Sequence, residues 1–137
     1  MAKDLYHQIV RVALEQEGWT ITHDPYPIKV GSIRMFLDLG AERVFAAEKG
    51  GEKIAIEVKS FVGDSAISDF HEAMGQYGNY QVALEDEEPE RLLYLAIPNQ
   101  IYQTFFQEPF IQKVIEKKSV KLIVYETNSP VLVLWKK

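Results

Sequence analysis

Two apolar runs, 43–49 and 53–61, meet at Gly50-Gly51, and this arrangement constrains the fold more than any other feature. Glycine adopts positive φ at little cost, so a Gly-Gly pair between such runs predicts a β-hairpin. Along the second run, period-two alternation puts Ile54, Ile56 and Val58 on one face. Ala55, Glu57, Lys59 and Phe61 take the other. The apolar neighbours predict a central strand. A carboxylate and an ammonium group about 7 Å apart along it are costly unless they are paired, wet or bound to a metal.

Helical signals alternate with strand signals through the rest of the chain. Leu5, Ile9, Val12, Ala13 and Gln16 share one face of a helix over 3–17, which Gly18 stops. Residues 19–22 read as a short strand, 25–31 as an irregular passage, and 33–38 as strand or turn. A second helix runs to about Glu85, with Asp64, Ser65 and Ser68 as candidate N-caps. Its expected inner stripe is Ile67, Phe70, Met74, Tyr77, Gln81 and Leu84. The acidic run 85–90 reads as a solvated loop after it. Residues 91–97 predict a buried strand ended by Pro98, and 99–118 one or two short helices interrupted by Pro109. Two strands, 120–126 and 131–135, close the series around a Thr-Asn-Ser-Pro turn. This order predicts an α/β domain with a mixed central sheet and helices on both faces.

The chain's 137 residues are one domain's worth, enough to bury roughly 68% of the unfolded surface. It has no cysteine, which excludes disulfides, thiolate metal sites and cysteine nucleophiles. No apolar run reaches the length of a membrane span, and the N-terminus has no signal-like apolar stretch. A soluble cytoplasmic protein is the expectation. The net charge of −5 argues against a simple duplex-binding module, but not against a nuclease, whose metal site is itself acidic.

Asp38 lies upstream of the hairpin. A turn there would set it beside Glu57; alternatively it is a turn or cap aspartate before Gly40. Two carboxylates and the Val58 carbonyl would form a hard oxygen site suited to Mg²⁺. Lys59 would position a water or offset charge on a reacting phosphate.

Asp38 followed by Glu57-Val58-Lys59 resembles the PD-(D/E)xK nuclease pattern of restriction endonucleases, archaeal junction resolvases and RecB-type nucleases. Gln76 and Tyr80, at i and i+4, resemble the Gln-x-x-x-Tyr of RecB-like members, which implies a place near the active site and the DNA strand. His7 stands where such relatives carry a metal-ligating histidine and resolvases a glutamate. It is a candidate extra ligand, and imidazole would shift preference toward Mn²⁺. Leu37 replaces the usual proline before the aspartate.

Nearly the whole chain resembles the XisH family, the fdxN element excision controlling factors of cyanobacteria. The resemblance rests on 4–7 with 14–19, on 37–42, on the long block 46–61 and on 71–77. It implies a restriction endonuclease-like fold and a role, with an XisI-like partner and a site-specific recombinase, in excising a DNA element during heterocyst differentiation. Two activities stay open: a Mg²⁺- or Mn²⁺-dependent DNA endonuclease, in which a homodimer would cut two strands, and a non-catalytic scaffold that licenses the recombinase.

The other candidates are weaker. His23 and His71 lack partners at metal spacing, and Glu42 and Glu48 read as solvated charges. Gly75 and Gly78 would admit close helix–sheet contact or mark a kink, and Trp19, Phe105, Phe106 and Trp135 read as core or interface aromatics. Lys113, Lys117, Lys118 and Lys121 form the positive cluster, a solvated helix face or a phosphate contact.

Overall fold

A computed structural model describes residues 2–30, 33–35 and 44–137. The hairpin forms as expected: β4 (Val44–Lys49) and β5 (Glu52–Val58) pair antiparallel with Lys49 opposite Glu52. Gly50 and Gly51 have φ of 55° and 87°, which is the two-residue turn that only residues tolerant of positive φ close without strain. Around this hairpin lies a six-stranded sheet, ordered β1 (Thr20–His23), β4, β5, β6 (Arg91–Pro98), β7 (Leu122–Tyr125) and β8 (Leu132–Lys136). The β5–β6 and β6–β7 pairs are parallel and the other three antiparallel, so the sheet is mixed. β5 and β6 are its central strands.

Helices cover both faces, as the restriction endonuclease-like expectation requires. On one face, α1 (Ala2–Gln16) places Val10 and Leu14 against Phe45, Ile54, Ile56, Val58 and Tyr94. On the other, α2 (Ala66–Glu87) places Phe70, Ala73, Tyr77, Tyr80 and Leu84 against Ala55, Leu95 and Val124. This second layer also holds α3 (Asn99–Gln103), a 3₁₀ turn at Phe105–Gln107 and α4 (Pro109–Lys117). Pro109 opens α4 from its first turn, where the missing N–H costs nothing, so it separates two helices rather than kinking one.

Several local expectations need correction. Ser65 is the N-cap of α2, accepting a hydrogen bond from the Ser68 amide at 3.2 Å. Ile67 is 41% exposed, because the inner face of α2 turns toward Ala73 and Tyr80 instead. The helix runs on through Glu85, Asp86 and Glu87, so half of the acidic run is helical. Its continuation is tied to Arg91, whose guanidinium lies 3.2 Å from Glu88 and also donates to the Ile54 carbonyl at 2.9 Å. A Cβ built at Gly75 or Gly78 would meet nothing within 4 Å, so neither glycine serves close helix–sheet contact. An additional strand pair, β2 (Ile28–Val30) with β3 (Ile33–Met35), forms a separate two-stranded sheet with Ile28 buried in the α2 layer.

Candidate functional site

β5 ends with Glu57 and Val58, and alternation decides what each faces. Val58 joins the α1 layer. Glu57 shares its face with Ala55 and lies opposite Val44, both in the α2 layer. Lys59 continues the strand: its amide donates to the Ala96 carbonyl at 2.9 Å. The next donor on β6 would be residue 98, but Pro98 has no N–H. The Tyr125 hydroxyl takes that place, donating to the Lys59 carbonyl at 3.2 Å. The backbone bearing Lys59 is thus held on both sides, although the regular strand has ended.

Glu57 is 4% exposed and Lys59 3%. The Lys59 ammonium forms an ion pair with Glu72, a half-exposed residue of α2. Glu72, Gln76 and Tyr80 follow one another at i, i+4 and i+8, so one stripe of α2 overlooks the site. Tyr80 is buried there and its pKa is raised, first by burial and then by the Glu57 charge. Tyr77 is pushed up to about 12, again by burial foremost, with Glu57 adding and a hydrogen bond to the Lys121 amide opposing. Both phenols therefore stay protonated, and the Tyr77 hydroxyl donates to the Leu93 carbonyl at 2.9 Å. Gln76 is half-buried between Glu72 and Tyr80. Past the strand, Phe61 adopts φ of 54°, which costs about 1–2 kcal/mol for a residue with a Cβ. Its ring is held against Phe105 and Phe106, with centroids 6.5 and 5.5 Å away.

Of the residues picked from sequence, then, Glu57, Lys59, Gln76 and Tyr80 come to one end and one face of the sheet. His7 does not join them. It projects from α1 against Phe45, ring centroids 5.0 Å apart, on the opposite face from Glu57. Its Nε2–H donates to Asp24 at 2.8 Å, and Arg11 donates to the same carboxylate oxygen at 2.8 Å. His7 is part of a buried polar latch between α1 and the segment after β1. Asp38 lies outside the described residues, as does Glu42. Among the described residues no three histidine, aspartate or glutamate side chains converge on a metal position. What they offer a hard dication is the Glu57 carboxylate and the backbone at Val58, with Lys59 two residues on. Those donors fit Mg²⁺ or Mn²⁺ in kind and leave room for a second carboxylate.

Glu72 was missed by sequence reasoning. The signal was its helical spacing: one turn before Gln76 and two before Tyr80. Tyr125 was missed too, because only the register of β6 and β7 shows which carbonyl Pro98 leaves to be satisfied.

No helix among the described residues is long and apolar enough to cross a membrane. A family model described as XisH protein matches residues 1–133. Among solved structures, an XisH family protein from Nostoc punctiforme PCC 73102 is 46% identical with a TM-score of 0.90, over 98% of this chain and 100% of its own. A fdxN element excision controlling factor protein from Anabaena variabilis is 44% identical with a TM-score of 0.90, over 98% and 99%. No curated protein matches the chain. A family model and two solved relatives agree over almost its full length: the chain belongs to the XisH family.

Proposed function

We propose that this chain is a controlling factor for site-specific excision of a DNA element and that it retains a nuclease-type metal site. The excision role is supported by a relative of that name, 44% identical over 98% of the chain. The observation that carries the metal site is the pair Glu57 and Lys59, buried together at the end of a central strand where unassisted charge is expensive. In this reading Asp38, Glu57 and the Val58 carbonyl hold Mg²⁺ or Mn²⁺. The ion, when bound, polarises a phosphoryl oxygen and acidifies a bound water. Lys59 sits beside the charge that builds on the phosphate, and Gln76 and Tyr80 line the approach of the strand. Glu72 holds the Lys59 ammonium until substrate competes for it. The partners that go with the role are an XisI-like protein, a site-specific recombinase and DNA, in the cytoplasm, with a homodimer as the form that would cut both strands.

A second reading has its own observation. Glu57 and Lys59 are almost fully buried and Lys59 is already ion-paired, as a non-catalytic scaffold licensing the recombinase would allow. The two separate on supercoiled, linear, single-stranded and branched DNA with Mg²⁺, Mn²⁺ or chelator, with and without the XisI-like protein. Metal-dependent cutting that Lys59→Ala abolishes establishes the enzyme. Absence of cutting under every condition sinks it and leaves the scaffold.

A further inference from the structure

Charge is distributed unevenly along this acidic chain. Residues 1–108 carry nine basic and eighteen acidic side chains, whereas residues 109–137 carry six and two. The fold gathers this basic portion at one edge. α4 buries Ile111 and Ile115, and turns Phe110, Lys113 and Lys117 outward at i, i+3 and i+7. Lys118 follows at its end. At the adjacent sheet edge, Lys121, Lys136 and Lys137 line a hollow of about 360 Å³ together with Gln112, Ile115 and Glu116 of α4. Phe110, 63% exposed, opens the outward face of α4 one turn before Lys113.

We propose that this edge binds single-stranded nucleic acid, with the lysines on successive phosphates and Phe110 as a stacking platform for an unpaired base. The chemistry discriminates between occupants. Lysine is depleted at protein–protein interfaces, where its flexible, strongly hydrated ammonium is costly to bury. A flat apolar ring on one helix face with two ammonium groups matches instead a chain that alternates phosphate with an exposed base. The acidic remainder of the surface repels a polyanion, so this edge is where one can approach.

The register places the patch relative to the candidate site. Glu57 pairs with Leu95, Leu95 with Leu122, and Leu122 with Lys136. Three strand spacings therefore separate Glu57 from Lys136 along one row, about 14 Å. Leu95 and Leu122 between them are buried, and Lys137 shares a hollow with Glu52 and Lys53 at the opposite end of β5, so the patch is a site of its own. The inference rests on the reading of this chain as a DNA-acting protein, but it does not need metal.

The test uses the whole chain and a labelled oligo-dT of about twenty nucleotides, longer than a typical single-strand site. Binding is followed by fluorescence anisotropy in EDTA, beside a duplex of equal length. Four phosphate contacts would make affinity fall roughly fiftyfold between 50 and 200 mM salt. Changing Lys113, Lys117 and Lys118 together to Glu should weaken binding at least about tenfold and flatten the salt dependence; changing them to Arg should preserve it. Phe110→Ala should weaken single-strand binding about fivefold without altering the salt slope. Equal affinity for duplex with no effect of Phe110→Ala overturns the proposal. So does absence of binding, or displacement of the oligonucleotide by polyglutamate at equal charge, which would mark an acidic protein partner. Because EDTA is present throughout, failure of cleavage and failure of binding are separate results.

Discussion

The α1 face and the α2 face of the sheet are built by the same alternation along the same strands, yet they treat polar groups differently. Under α1, among the described residues, Asp24, with a side chain 6% exposed, receives both His7 and Arg11. It joins a helix to the segment it packs on. Under α2, Glu57 and Lys59 stand at the end of the central strand β5, faced by phenols and by a half-exposed glutamate. A polar group at the margin of a layer is explained by what it ties together. A charge on a central strand contributes little to folding that an apolar side chain would not contribute better. On the proposed reading, the pair stands there to serve the metal site.

The sharpest way to break this comparison is to remove Asp24. Asp24→Ala leaves the His7 ring and the Arg11 guanidinium without their acceptor, one of them deep in the layer. Truncating one partner of a buried ionic cluster costs about 3 kcal/mol. The urea midpoint should fall accordingly with an unchanged slope. Adding His7→Ala should cost little more, because the two substitutions remove the same interaction. Independent, additive losses would show that His7 and Asp24 do not couple in solution and that the ring counts through its packing on Phe45.

A smaller effect separates the α2 face. The phenol of Tyr77, at about 12, titrates above its unfolded value of about 10. Tyr80 is shifted the same way by burial and Glu57, and Tyr94 by burial and Glu52. A group whose folded pKa is raised adds stability that is complete below about pH 10. It is lost as pH climbs through the folded value, so alkaline unfolding should begin between about pH 10 and 12. Glu57→Gln removes the charge behind part of the Tyr77 and Tyr80 shifts. Their tyrosinate absorbance should then appear at lower pH, while Tyr94 stays as it was. An unchanged titration of all three would mean that Glu57 does not face α2 in solution.

How much of this was legible beforehand depends on whether the determinants were local. The Gly50-Gly51 turn and the alternation that puts Glu57 and Lys59 together are short-range facts, and both were readable. The fold class followed from them and from the helix signals. β2 was not readable: three residues between Pro27 and Gly31 carry no period, and Ile28 is strand only because α2 gives it something to pack on. The Glu72 pairing with Lys59 and the Asp24 latch join residues 13 and 17 apart through tertiary geometry. The composition of the run 85–90 suggested a loop, but packing of Leu84 and anchoring by Arg91 carry α2 through Glu87. Sequence put the carboxylate and the lysine on one face, but it held no information on which helix residue would hold the ammonium.

The smallest expected effect tests whether α2 is a passive cover or part of the site. Gly75 lies on the exposed side of the helix interior, and an added Cβ there would meet nothing within 4 Å. Glycine in that setting costs about 1 kcal/mol relative to alanine, through the freedom it gives the unfolded chain. Gly75→Ala should therefore raise stability by about 0.5–1 kcal/mol. If α2 is only a cover, DNA binding and any metal-dependent cutting remain as they were. Gly75 precedes Gln76 and lies on the turn between Glu72 and Tyr80, so the alternative has a distinct signature. A variant that is more stable but binds or cuts less would mean that the glycine keeps this stretch able to bend when Lys59 leaves Glu72, and the two faces would then differ in motion as well as in charge.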